Sequence, residues 1–101
     1  MCRVFAGQNP ERYQQVNRSV RIGGHSTSIH LETAFWRLLD EIAESQGLTT
    51  PKFLSKLHDE ALEINGELPN FASMLRTTCV LYLEGRRPTR KELEMMASEA
   101  A

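Results

Sequence analysis

Residues 27–32 read Thr-Ser-Ile-His-Leu-Glu, a polar-apolar alternation that runs directly into a helical pattern over residues 33–46. Alternation puts Thr27, Ile29 and Leu31 on one face of a strand and Ser26, Ser28 and His30 on the other. A strand this short, leading helices in a chain of 101 residues, leaves an edge that needs a partner. The simplest partner is the same strand of a second copy, which makes a two-stranded ribbon.

The helical pattern that follows is regular. Phe35, Leu38, Leu39 and Ile42 form an apolar stripe, with Asp40, Glu41 and Glu44 opposite. Gly47 ends this helix. A Leu-Thr-Thr-Pro connection over 48–51 supplies a threonine cap and a first-turn proline for the next helix. That helix turns Phe53, Leu54, Leu57, Ala61 and Ile64 inward, and Asn65-Gly66 closes it. His58 falls beside Asp59 and Glu60, on what reads as a solvated face. Asn70 caps a third helix over 71–83, whose Phe71, Met74, Leu75, Cys79, Val80, Leu81, Tyr82 and Leu83 occupy more than one side. Such a helix expects two covering surfaces, one of which can belong to another subunit.

The flanks are less regular. Residues 1–17 lack periodicity and read as an N-terminal arm. Residues 18–22 alternate, with Val20 and Ile22 on one face, before Gly23-Gly24 interrupts. This segment is either a first strand turning back through a Gly-Gly hairpin or an extended arm. Beyond Gly85, an Arg-Arg-Pro linker leads to the capping box Thr89-Arg90-Lys91-Glu92 and a short C-terminal helix. The expected organisation is an arm over 1–17, a domain over 18–85, and a linker with terminal helix over 86–101.

Composition narrows the function classes. The net charge of −1 argues against a uniformly basic nucleic-acid coat. The charge is nonetheless uneven: before Glu32, four arginines (Arg3, Arg12, Arg18, Arg21) face Glu11 alone. Cys2 and Cys79 form no CxxC pair, and three scattered histidines offer no zinc spacing, so no metal or cofactor is expected. No nucleophile-base arrangement or phosphate-cradling glycine loop supports an enzyme or a small-molecule substrate. No apolar run reaches membrane-spanning length, and the expected location is the cytoplasm.

A two-stranded ribbon has the dimensions of the DNA major groove. Strand, helix, Gly-Leu-Thr turn and helix together resemble the ribbon-helix-helix superfamily of repressors, the methionine and Arc repressor type. More narrowly, residues 24–32 (Gly-His-Ser-Thr-Ser-Ile-His-Leu-Glu) followed by Phe35-Trp36 are similar to a bacterial subgroup with a Gly-His-x-Thr-Ser-x-x-Leu-Glu stretch and a Phe-Trp pair. The resemblance covers roughly residues 18–85. It implies a mainly helical fold with a short β-ribbon, an intertwined homodimer with extra C-terminal helices, and binding to double-stranded DNA in transcriptional control.

Carried over by position, the resemblance implies base contacts from Ser26, Ser28 and His30. It implies phosphate contacts from Thr49, Thr50 and Lys52 at a helix start, with Arg21 and His25 beside them. Ile29, Leu31, Phe35, Trp36 and Leu39 would form the dimer core. Ser26 and His30 replace arginines common in the subgroup, which reduces counterion release and guanine recognition. Trp36 adjoins Phe35, so the two face different neighbours. Arg86, Arg87, Arg90 and Lys91 form a second basic cluster, available for non-specific phosphate contact. The alternative function is a protein-interaction module, or an antitoxin-like partner, that dimerises through the ribbon and docks through the third helix. That helix could also carry dimers into a tetramer.

Overall fold

The computed structural model describes residues 2–85. The C-terminal capping box, terminal helix and second basic cluster lie outside them. The chain runs α1 (Cys2–Ala6), a 3-10 turn (Pro10–Tyr13), β1 (Gln15–Ile22), β2 (His25–Glu32), α2 (Thr33–Ser45), α3 (Thr50–Asn65) and α4 (Phe71–Gly85).

The hairpin alternative is the one adopted. Gly23 and Gly24 have φ of 59° and 83°, both in the left-handed region that a two-residue type I′ turn requires. The turn sets Ile22 opposite His25, and the register continues without a bulge to Gln15 opposite Glu32. The strand expected from a second copy is therefore supplied on one edge of β2 by the same chain. A two-residue connection closes this pairing at far lower entropic cost than association does.

Residues 1–17, read as an aperiodic arm, contain α1, the 3-10 turn and the first three residues of β1. Asn9 caps the turn by accepting the Glu11 amide. The Gln14 carbonyl then accepts both the amide and the hydroxyl of Thr33, fastening the strand entrance to the start of α2. The strand pattern was hidden because Arg18 occupies an inward position between Val16 and Val20. It is retained there by Asp40 of α2, which accepts from both of its terminal nitrogens.

One core joins the hairpin to the helices. Val20, Ile22, Ile29, Leu31, Trp36, Leu39, Ile42, Phe53, Leu54, Leu75 and Cys79 are buried in one cluster. The amphipathic stripe of α2 points into it as expected, burying Leu39 and Ile42 and packing the half-buried Phe35 and Leu38 at its margin. The helix ends fall just ahead of Gly47 and Gly66. Thr49 caps α3 by accepting the Lys52 amide.

Several positions depart from the sequence pattern. Asp40, placed opposite the apolar stripe, is half-buried because Arg18 and Thr50 bind it. Thr27 is exposed although Ile29 and Leu31 on its face are buried. It lies near the hairpin tip, where α3 packs under β1 and covers Val20 and Ile22 instead. Ile64 is 81 % exposed, since the last turn of α3 runs past the elements that cover Ala61. His58 is half-buried rather than solvated, its ring edge-on to Phe71 at 5.0 Å.

α4 presents one face to the chain and one outward. Leu75 and Cys79 are buried, and Arg76 binds Glu32 at the end of β2 at 3.0 Å. Burial pushes the Cys79 thiol up to about 11, which leaves it a protonated, unreactive hydrophobe. Val80, Leu81 and Leu83 remain about half exposed.

Candidate nucleic-acid interface

In an antiparallel ladder, residues directly opposite one another share a face. The register therefore gives the hairpin two faces of different chemistry. Val20, Ile22, Ile29 and Leu31 face the core. The outer face carries four cross-strand pairs: Gln15 with Glu32, whose carboxylate Arg76 of α4 binds, then Asn17 with His30, Ser19 with Ser28, and Arg21 with Ser26, and the six residues of these last three pairs are all exposed. Ser26, Ser28 and His30 thus lie together on one open face. Ser28 Oγ donates to Asn17 Oδ1 at 2.5 Å, a diagonal contact between the strands.

Asn17 and Ser19 are absent from the sequence-based set. The signal for Ser19 was present: if Val20 and Ile22 face inward, Ser19 and Arg21 face outward. Assigning both strands to one face required the type I′ turn, which fixes the register.

The residues expected to hold phosphate divide into two groups. Arg21 and Lys52 line one groove with Gly23, Gly24, Pro51 and Ser55, where the hairpin tip meets the start of α3. Thr49 and Thr50 stand at that helix start with different hydroxyl roles. Thr49 Oγ1 accepts the Lys52 amide, and Thr50 Oγ1 donates to Asp40 at 2.6 Å. Pro51 has no N–H to offer. The groove therefore offers an anion the cationic side chains of Arg21 and Lys52, and the exposed Thr49 hydroxyl at the same helix start keeps its own proton to donate. His25 is exposed but shares the inner face with Ile22, turned away from Ser26 and Ser28.

Ile29, Leu31, Trp36 and Leu39, expected at a dimer core, are at most 5 % exposed within the single chain. They form its own core and have almost no surface left for a second copy. Phe35 is the member of that set with accessible surface. The neighbouring aromatics do separate: Trp36 Nε1 donates to the Val16 carbonyl at 2.9 Å under the hairpin, while the Phe35 ring lies 6.0 Å from the Arg76 guanidinium of α4.

Among the described residues, no helix is long and apolar enough to cross a membrane, and no cluster of potential metal ligands is present. The ribbon-helix-helix domain family matches residues 15–83, which takes in the hairpin and the three following helices. The chain is also similar to an uncharacterized protein from Bordetella pertussis Tohama I whose structure is solved. The identity is 39 %, covering 89 % of this chain and 75 % of that one, with a TM-score of 0.79. No curated protein matches the sequence. Domains of this family belong generally to non-enzymatic, DNA-binding transcription regulators. A type I′ hairpin laid over paired amphipathic helices, a matching family domain across most of its length, and a closely superimposable relative lead to one assignment: the chain belongs to the ribbon-helix-helix family.

Proposed function

We propose that this protein is a sequence-specific DNA-binding regulator of transcription that lays the outer face of its two-stranded antiparallel ribbon in the major groove. The observation that carries this reading is the outer face itself: six exposed polar side chains in three facing pairs, bordered by the groove of Arg21 and Lys52. Ser26, Ser28 and His30 contact base edges in this reading. Arg21, Lys52 and the Thr49 hydroxyl hold the flanking phosphate. The overall charge of −1 requires that attraction to DNA be local, and both cations lie beside the ribbon tip.

The protein acts as a homodimer, so that two ribbons read a palindromic site. Val80, Leu81 and Leu83 of α4 supply the exposed apolar surface that a second copy would cover. This surface also supports a second reading, in which α4 docks a different protein and the ribbon is only a scaffold.

Selection of binding sites from random duplex DNA at two salt concentrations separates the readings. Recovery of a palindrome whose affinity falls steeply with salt supports the DNA-binding dimer. No enrichment at low salt transfers the function to the α4 surface.

A further inference from the structure

Readout in a ribbon made from one strand per chain would be limited to β2. Here the two-stranded unit lies within one chain, and β1 supplies half of its polar face. We propose that β1 reads bases together with β2, with Asn17 and Ser19 as specificity-determining residues and the Asn17–Ser28 couple at the centre. The proposal rests on the DNA-binding reading above and extends it to residues of the first strand.

Neighbouring strands lie about 4.8 Å apart, whereas the major groove is about 12 Å wide. A hairpin that enters face-on brings the outward side chains of both strands to the base edges. Placing Ser28 and His30 there brings Ser19 and Asn17 with them, because the register sets them directly opposite. Along each strand, the three outward residues nearest the turn span about 13 Å, on the order of four base pairs.

The chemistry at the centre is directional. Ser28 Oγ donates to Asn17 Oδ1, so the amide oxygen is engaged and the amide NH2 is left to face outward. That NH2 has no protein partner among the described residues. It offers two donors, suited to guanine O6 and N7. Ser28 Oγ has spent its proton but keeps lone pairs, suited to the cytosine amino group. The couple thus matches the major-groove edge of a G·C pair, and neither side chain has to break a bond to do so.

The test uses the full chain and the DNA site selected by the wild type. Asn17→Ala should cut affinity for that site about tenfold and erase the preference at one base pair. Binding to a scrambled duplex and the thermal melt should stay as in the wild type. Ser19→Ala should weaken the preference at the adjacent position. Asn17→Asp, which replaces the outward donors by acceptors, should abolish the G·C preference. If Asn17→Ala and Ser19→Ala select the wild-type motif with wild-type affinity while Ser28→Ala does not, β2 alone reads the site and the proposal is overturned. If the wild type itself selects no sequence at low salt, the DNA-binding reading fails first and takes this proposal with it.

Discussion

Arg18 of β1 holds both carboxylate oxygens of Asp40 on α2, at 2.9 and 3.1 Å. Thr50, the first residue of α3, donates to the same carboxylate at 2.6 Å. The guanidinium also lies 4.5 Å from the centre of the Trp36 ring. A single carboxylate therefore fixes the ribbon, α2 and the start of α3 relative to one another. That triangle sets the spacing between the outer face of the hairpin and the groove of Arg21 and Lys52.

Asp40→Ala should lower the melting temperature by roughly 5 °C, the equivalent of about 1 kcal/mol for a partly exposed pair in a domain of this size. The effect should depend on pH. Burial raises the Asp40 pKa, but the hydrogen bonds from Arg18 and Thr50 outweigh it and hold the group below its ordinary 3.8. A depressed carboxylate pKa stabilises the fold fully above the unfolded value and loses that contribution as pH falls through the folded one. The melting temperatures of wild type and Asp40→Ala should therefore differ at pH 7, and the gap should begin to narrow as pH falls below about 3.8. A gap that persists unchanged at pH 3 would assign the stabilisation to packing rather than charge.

Trp36 carries more of the fold than its place in an expected dimer core suggested. It is 1 % exposed, and its indole N–H satisfies the Val16 carbonyl beneath the hairpin. Trp36→Ala should cost about 3–5 kcal/mol, on the order of the stability of a whole small domain. Trp36→Phe keeps most of the apolar volume but loses the donor, and should cost about 1–2 kcal/mol. Urea unfolding followed by circular dichroism gives both values. A Trp36→Ala variant that unfolds at the wild-type midpoint and only dissociates would return the residue to a subunit interface.

Much of this arrangement was legible in the chain. The alternation of Ile29 and Leu31, the α2 stripe and the Thr49 cap are local patterns, and local patterns can be read from sequence. The reach of β1 could not be read, because Arg18 interrupts its inward row. Only tertiary contact with Asp40 and Trp36 makes an arginine suitable there. The engagement of Thr50 by Asp40 was hidden for the same reason, since ten residues and a helix turn separate them. Ser26, Ser28 and His30 were found from one strand's alternation. Asn17 required the register of two.

Lys52 and Thr50 stand two positions apart at the same helix start and should behave differently. Lys52→Ala should weaken binding to all duplexes alike and reduce the slope of log affinity against log salt by about one. Thr50→Val removes a hydroxyl that already donates to Asp40. It should lower the melting temperature while leaving the salt slope unchanged. Binding isotherms at four salt concentrations decide the matter. Equal slopes for wild type and Lys52→Ala would remove Lys52 from the phosphate contact.

The strand register depends on the Gly23-Gly24 turn. A Cβ at Gly24 would meet nothing within 4 Å, so substitution there brings no clash. Its φ of +83° is nevertheless a conformation that alanine adopts only at a cost of about 1–2 kcal/mol. Gly24→Ala should therefore destabilise the hairpin for backbone reasons alone. Gly23 is the first central position of the type I′ turn, where asparagine is favoured, and Gly23→Asn should be neutral or slightly stabilising because it also narrows the unfolded ensemble. Amide hydrogen exchange of the β1–β2 ladder distinguishes the two. Protection should fall for Gly24→Ala and hold for Gly23→Asn, and DNA discrimination should follow protection, since a loosened register no longer sets Asn17 beside Ser28. Equal protection in both variants would mean that the helices beneath the ribbon, rather than the glycine pair, determine its register.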